Sequence, residues 1–346
     1  NIKKKLKSLK LIVSLDLIGV EIIEDSVNWN KIGDFKDKKI DFTQISFSDP
    51  LYIMYSSGTT GKPKSIVHSV GGTLIQHLKE LTLHTDIKRS DSILYFTTCG
   101  WMMWNWLVSS LAVGATIVLY DGNPFYPKKE SLLKIVDNLK VSVFGTSAKY
   151  ISYLEQENIK PIDHFKFKSL RAILSTGSPL SEESYQFVYN YWGRDIQLSS
   201  ISGGTDIISC FALGVPIKPV INGKLQSLGL GMSVKSYDEH GNVNIAKKGE
   251  LICDRPFPSM PIYFLNDDQK KLYKKAYFEV YENIWTHGDY ISIYKDGTVK
   301  IFGRSDTTLN PGGVRIGTAE IYRVLDMFKI IDDSIVVGYN YNNDDL

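Results

Sequence analysis

The sequence predicts an α/β fold built of wound β/α sheets, and three features carry that prediction. Between residues 51 and 200, short aliphatic and β-branched runs alternate with stretches whose apolar residues recur at helical spacing. The strand-like runs end in small, hydroxylated and glycyl residues, where a wound sheet collects the loops lining its ligand crevice. After Ala212 the pattern changes to short strands separated by Gly, Pro and Asp turns, which predicts a small β-rich subdomain. A chain of 346 residues can bury a large core in one large domain or two moderate ones.

The elements follow in order. A Lys-rich run at residues 3–10 reads as a solvated edge, and residues 11–20 read as a core strand. Residues 28–49 are polar and irregular, a surface connection. Residues 51–55 read as a buried strand, 70–83 as a helix opened by Gly71 and Gly72, and 91–98 as a strand. A bulky cluster follows at 99–106, then a strand at 115–120, a helix at 131–139 and a strand at 141–146. The alternation continues through 150–157, 170–175, 181–192 and 196–200. In the β-rich part, strands fall near Leu225 and at 234–237, 250–253 and 290–294. No internal repeat is present, and only residues 340–346 approach low complexity.

Composition narrows the function. At 43% hydrophobic and 23% charged, with a formal net charge of +2, the chain gives no basis for a nucleic-acid or membrane-surface partner. Cys99, Cys210 and Cys253 lie far apart without metal-ligand spacing and read as reduced structural residues of a reducing compartment, the cytosol. Residues 93–120 hold no charge and are long enough to cross a bilayer. Thr97, Thr98, Asn105, Ser109, Ser110 and Thr116, interior glycines and the flanking Asp91 and Asp121 favour a buried strand, helix and strand instead. The chain opens on Asn1 without a secretory pattern and reads as a fragment.

The stretch Tyr55-Ser56-Ser57-Gly58-Thr59-Thr60-Gly61-Lys62-Pro63-Lys64-Ser65 has the composition of an anion-binding loop. Glycines let backbone N–H groups approach an anion, hydroxyls add neutral donors, and Lys62 and Lys64 add charge. Only two residues separate Gly58 from Gly61, too few for a Walker A loop. Pro63 disfavours a helix running through Lys62. A solvated turn between strand and helix has the same composition. In Ser202-Gly203-Gly204-Thr205-Asp206, glycines permit close approach, Thr205 offers a hydroxyl, and Asp206 is an oxygen ligand of the kind Mg²⁺ prefers. In Trp285-Thr286-His287-Gly288-Asp289 the carboxylate offers two acceptors, which suits a diol, and His287 reads as a structural donor. Either short motif, alone, is also an ordinary turn. No Ser-His-Asp signature or cysteine nucleophile motif accompanies them.

In this order and density the motifs resemble those of the acyl-adenylate-forming family, which includes acyl-CoA synthetases, luciferases and nonribosomal adenylation domains. Residues 55–65 are similar to its phosphate loop, 202–206 to its phosphate and metal motif (usually Glu where Asp206 stands), and 285–289 to its ribose motif. Gly303-Arg304-Ser305-Asp306 and the run 309–321 resemble the joint between large domain and lid. The resemblance implies a large adenylate-forming domain of wound sheets and a β-rich subdomain, then the start of a mobile α+β lid. Its divisions fall at 1–211, 212–305 and 306–346. It implies that ATP or AMP is bound by Ser56, Ser57, Gly58, Thr59, Thr60, Gly61, Lys62, Gly177, Ser178, Pro179, Gly204, Thr205, Asp289, Arg304 and Arg315. Thr205, Asp206 and Arg304 would serve catalysis, Asp206 holding Mg²⁺, with Asp306 as hinge and Gly313 on the CoA path.

Adenylation joins an anionic carboxylate to an anionic α-phosphate, so positive charge and alignment are required and a protein nucleophile is not. Acetate-activating members carry a tryptophan where Gly203 falls. Its absence implies room for a larger acid, lined by Met102 and Met103 with Trp101 nearby, core packing being the alternative for each. The runs 175–180, 255–261 and 304–313 are similar to those of the acetoacetate-activating branch. That similarity implies acetoacetate, ATP and CoA as small-molecule substrates, with another short-chain acid or a non-catalytic ATP-binding remnant as alternatives. The family pattern also holds a lid lysine beyond residue 346 and strands upstream of Asn1. Without those strands, an unpaired sheet edge and poor solubility are expected of the isolated chain.

Overall fold

The computed structural model describes residues 10–14, 26–28, 41–56, 64–305, 308–309, 316–325, 328, 330–331, 334–337, 340–341 and 344–345. Two compact units divide the chain, Asn1–Ile45 and Ser46–Leu346. In the first, β1 (Val13–Ser14) pairs in parallel with β2 (Val27–Asn28), and the Ser14 and Ser26 hydroxyls meet at 2.6 Å. Leu11 and Val13 are exposed, so the described part of the expected core strand is a short ladder with an open apolar side. Residues 15–20 of that expectation lie outside the described residues.

In the second unit, β3 (Pro50–Tyr55) and β4 (Ser65–Ser69) form an antiparallel hairpin. The strand expected to be buried at 51–55 is an edge strand. Met54 alone among its apolar residues is buried, while Leu51, Ile53 and Tyr55 are exposed on the alternate face, as a two-residue period on a sheet edge requires. Helix α1 (Val70–Lys79) starts where the Ser69 hydroxyl accepts the Gly72 N–H at 3.2 Å, and it runs into a wider π-type turn over Glu80–His84. A Cβ at Gly72 would lie 2.1 Å from the Pro258 carbonyl oxygen, so the helix start rests directly on the 255–261 run.

A parallel sheet follows, built from β5 (Ser92–Tyr95), α2 (Met102–Ser109), β6 (Thr116–Val118), α3 (Ser131–Asn138), β7 (Val143–Ser147), α4 (Ala148–Gln156), β8 (Ala172–Thr176), α5 (Glu182–Tyr191) and β9 (Gln197–Ser200). Its strand order is β6-β5-β7-β8-β9, with every pairing parallel. Alternate strand residues serve two cores. Leu94, Phe144, Ile173 and Leu198 pack with α3, α4 and α5, while Ile93, Tyr95, Val143 and Leu174 pack with Met103, Trp106 and Leu107 of α2. The charge-free run 93–120 is thus strand, helix and strand, and among the described residues no helix is long and apolar enough to cross a membrane. The chain steps to one side of β5 and then to the other, which puts the crevice beyond the carboxyl ends of β5 and β7.

The remainder is antiparallel. Strands β10 (Ser202–Gly204), β11 (Ser209–Leu213) and β12 (Ser227–Leu228) form one sheet. Strands β13 (Val234–Tyr237) and β14 (Gly249–Cys253) precede β15 (Tyr263–Phe264), which pairs with β4. Helix α6 (Lys271–Phe278), absent from the sequence reading, starts where the Asp267 carboxylate accepts the N–H groups of Leu272 and Tyr273. Strands β16 (Trp285–Ile293) and β17 (Val299–Arg304) complete a sheet ordered β13-β14-β16-β17. Its core of Leu251, Trp285, Ile291 and Val299 is continuous with Ile66, Phe211 and Tyr277. The fold class is α/β, a wound parallel sheet beside smaller antiparallel sheets.

Candidate active site

The anion loop is pinned at its base. The Ser56 N–H donates to the Lys64 carbonyl at 3.1 Å, and the Ser56 hydroxyl accepts the Lys64 N–H at 3.2 Å. Ser57, Gly58, Thr59, Thr60, Gly61 and Lys62 lie outside the described residues. The loop joins two antiparallel strands, not a strand and a helix, because β4 intervenes before α1. From its end, the Lys64 ammonium reaches Oδ1 of Asp206 at 2.6 Å, and the Tyr277 hydroxyl donates to the same oxygen at 2.5 Å. The Tyr277 ring stacks on Trp285 with centroids 3.7 Å apart, which fixes its hydroxyl. Burial works to raise the Asp206 carboxyl, but the Lys64 charge, His287 and the Tyr277 hydrogen bond outweigh it and hold it below the ordinary carboxylate value.

The sheet β14-β16-β17 supplies the facing groups. Asp289 stands opposite Arg304 in the ladder, with Nη1 to Oδ2 at 3.9 Å, and His287 Nε2 lies 3.3 Å from the same Oδ2. Burial pushes the pKa of His287 down, which favours the neutral ring. A Cβ at Gly204 would meet that ring at 3.7 Å, so β10 ends against it. The Thr205 carbonyl accepts a hydrogen bond from His68 Nε2 at 2.9 Å, which puts the proton on that nitrogen, and burial pushes His68 down to about 4. Glu250 accepts the Gly288 N–H at 3.1 Å and the Ser305 hydroxyl at 2.9 Å, and burial pushes its carboxyl up to about 7.

At the end of β8, Ile201 N–H donates to the Ser175 carbonyl at 2.8 Å and the Thr176 hydroxyl to the Ile201 carbonyl at 3.0 Å. These bonds set the loop holding Gly177, Ser178 and Pro179 beside the start of β10. Trp101 stands against that loop, 3.8 Å from the Cβ position of Gly177, with its ring edge-on to Tyr95. Met102 and Met103 are buried among Met54, Trp106 and Cys210. At Gly203 a Cβ would lie 2.0 Å from the Ser209 carbonyl oxygen and 2.7 Å from the Cys210 Cα. The glycine is therefore demanded by the approach of β11, and a tryptophan there would require β10 to leave its partner.

The described residues bring Ser56, Thr205, Asp206, Asp289 and Arg304 to one region and Trp101 and Gly177 to another beside it, while Asp306, Gly313 and Arg315 lie outside them. Sequence reasoning missed Tyr277, Glu250 and the pairing of Lys64. No local pattern marks them, since Lys64 and Asp206 are 142 positions apart and Tyr277 is one aromatic in a helix that was not anticipated.

Residues 2–264 match the AMP-binding enzyme family. The acetoacetyl-coenzyme A synthetase of Rhizobium meliloti (strain 1021) is 50% identical over 313 residues, covering 90% of this chain and 48% of that protein. The acetoacetyl-CoA synthetase of Danio rerio is 49% identical over 323 residues, covering 93% and 48%. A solved structure of acetoacetyl-CoA synthetase from Streptomyces lividans superposes with a TM-score of 0.90 at 39% identity, over 98% of this chain and 53% of that one. The chain spans about half the length of the curated relatives it matches. With the wound sheet, the pinned anion loop and the Lys64–Asp206 pair on the same matched stretch, the chain belongs to the AMP-binding enzyme family.

Proposed function

We propose that this chain is the nucleotide- and acid-binding part of an acid–CoA ligase, which activates acetoacetate with ATP to acetoacetyl-AMP and pyrophosphate and then forms acetoacetyl-CoA and AMP. The observation that carries the reading is the Asp206 cluster. Lys64 from the end of the anion loop, Thr205 and Asp206 from the turn after β10, and the Asp289–Arg304 pair from the second sheet converge where an anionic nucleotide would need charge and a diol acceptor. The relatives' names supply the acid.

In this reading the backbone and hydroxyls of residues 56–62 hold phosphate, with Gly177, Ser178 and Pro179 beside the adenine. Asp289 accepts the ribose hydroxyls, and Arg304 braces Asp289 and the phosphate. Thr205 donates to the α-phosphate, and Trp101, Met102, Met103 and Gly203 border the acid. Asp206 fits Mg²⁺ as one held carboxylate, since Mg²⁺ takes one or two carboxylates and completes its shell with phosphate oxygens and water. When bound, the ion neutralises phosphate charge. Lys64 and Tyr277 keep the Asp206 carboxylate fixed. Residues 306–346 are the hinge and first part of a lid, with Asp306 the hinge, Gly313 on the CoA path and Arg315 near phosphate; the β-rich subdomain is 212–305. The free Cys99, Cys210 and Cys253 support a cytosolic setting.

Titration calorimetry with acetoacetyl-, acetyl- and hexanoyl-sulfamoyl adenosine tests the proposal. Binding is expected, tightest for the acetoacetyl ligand. Failure of all three to bind, in a chain shown to be folded, overturns it.

A further inference from the structure

Glu80 is a fully buried carboxylate that the adenylation chemistry does not use. Its surroundings are one-sided. Oε1 accepts hydrogen bonds from the Ser209 hydroxyl at 2.5 Å, the Cys210 N–H at 3.1 Å and the Gln76 amide at 3.3 Å, with the Lys79 ammonium at 3.4 Å. Oε2 accepts the indole N–H of Trp106 at 2.9 Å. Every one of these partners is a donor, so only a group that accepts at both oxygens satisfies the site. A glutamine would fit the space but turn an N–H₂ toward an indole N–H or toward Ser209 and Cys210.

Gln76 and Lys79 belong to α1, on Glu80's own segment, and the remaining donors come from two other elements with different duties in the proposed site. Trp106 belongs to α2, whose first turn holds Met102 and Met103 and follows Trp101. Ser209 and Cys210 open β11, and they stand opposite Gly204 and Gly203 on the strand leading into Thr205 and Asp206. The carboxylate therefore ties the wall of the acid pocket to the back of the phosphate hairpin. Both attachments are stiff. Trp106 is buried edge-on to Tyr95, and β11 lies within 2.0 Å of the Cβ position of Gly203.

We propose that Glu80 is a positioning residue which fixes the separation of α2 from the 203–206 hairpin and thereby sets how large an acid the site accepts. The inference rests on the proposed function, because the acid wall and the phosphate hairpin take their meaning from it. In the proposed site the nucleotide keeps its holds on residues 56–62, Asp289 and Arg304, so a change at Glu80 acts on the acyl part of a ligand more than on the nucleotide part.

The test compares the parent chain with Glu80→Gln and Trp106→Phe by calorimetry, using AMP and acetoacetyl- and hexanoyl-sulfamoyl adenosine. Trp106→Phe severs the α2 attachment, leaves the Ser209 and Cys210 attachments in place, and keeps the readout if Glu80→Gln does not fold. Expected is an AMP affinity within about twofold of the parent and a preference for acetoacetyl over hexanoyl ligand reduced by about tenfold, on the scale of one buried charge-assisted hydrogen bond. Equal losses for AMP and both acyl ligands overturn the proposal in favour of a purely structural carboxylate, and so does an unchanged preference in a folded variant. If the parent chain itself binds AMP but neither acyl ligand, the proposed function fails and this role with it. A discriminating parent with non-responding variants removes the Glu80 role alone.

Discussion

Two carboxylates mark two regions of this molecule, and their surroundings displace their pKa values in opposite directions. Glu80, between α1, α2 and β11, is the more deeply buried, and burial is the largest influence raising its carboxyl. Lys79, His77, the Ser209 hydroxyl and the Cys210 N–H outweigh that influence and hold it below the ordinary value. Glu250, on β14 beside β16 and the end of β17, is half-buried, yet it sits at about 7. There burial again comes first, Asp289 adds to it, and Ser305, the Gly288 N–H and Arg304 oppose it without prevailing. The number and charge of converging donors, not depth, decides whether a buried carboxylate is kept ionised. One region is locked in a single charge state, while the other changes charge near neutrality beside the proposed ribose and hinge residues.

The contrast is broken most directly at Glu80. Glu80→Leu strands the Trp106 indole, the Ser209 hydroxyl and the Cys210 N–H in an apolar pocket and leaves Lys79 without its buried partner. A loss of about 3–5 kcal/mol is expected in urea denaturation at pH 7. A loss under about 1 kcal/mol would mean that water or a rearranged Lys79 replaces the carboxylate, and that this region is not locked. The sign follows from the lowered pKa. The stabilisation is present above the unfolded value and is lost only as pH falls through the folded one, so it is constant across neutrality.

The same region can be loaded from the hairpin side. Gly203→Ala puts a methyl group against the Ser209 carbonyl, on the strand that Glu80 holds. Because β11 cannot retreat without breaking those bonds, a cost of about 1–3 kcal/mol is expected by thermal or urea unfolding. A neutral Gly203→Ala would show that β11 yields and that the hairpin is softer than its hydrogen bonds imply. That result would also reopen the Gly203 position to a larger side chain.

These regions differ as sharply in how far the sequence reveals them. The wound sheet is legible because each strand, loop and helix is contiguous. The alternation from 51 to 200 names β5 to β9, and the glycine- and hydroxyl-rich ends name the loops around Gly177 and Gly203. Asp206, Asp289 and Arg304 are legible as members of motifs. What holds them is not. Asp206 depends on Lys64 and Tyr277, and Glu80 on Ser209, 129 positions away. A lone glutamate between Leu78 and Leu81 reads as a solvated helix face until the tertiary fold supplies its donors. The edge character of β3 was hidden for a related reason, since a short apolar run does not say whether one face or both are covered.

Glu250 offers the pH-dependent half of the contrast. An acid whose folded pKa is raised binds its proton more tightly in the folded state. Its stabilisation is complete below the unfolded value of 4.5 and is lost as pH rises through about 7. Glu250→Gln should remove that slope, flattening the change in stability between about pH 4.5 and 7 by on the order of 2 kcal/mol, reduced here for partial exposure. Parallel stability curves for parent and variant over that window would place the titration elsewhere.

The smallest effect separates donor number from burial as the cause. Ser305→Ala removes one of the two hydrogen bonds donated to Glu250 but leaves its cover of β14 and β16 almost unchanged. If donors decide the charge state, losing one favours the protonated form. The midpoint of the pH-dependent stability change then moves upward by about half a unit to one unit, with a stability change below about 1 kcal/mol at pH 6. If burial alone decides it, the midpoint stays where it is in the parent. Because Glu80→Leu and Ser305→Ala alter donor sets of unequal size around carboxylates of unequal depth, a large response at the first and a measurable midpoint shift at the second is the pattern that donor control requires. A large response at Glu80 with no shift at Ser305 would confine that control to the dry region, leaving Glu250 governed by solvent and by its neighbour Asp289.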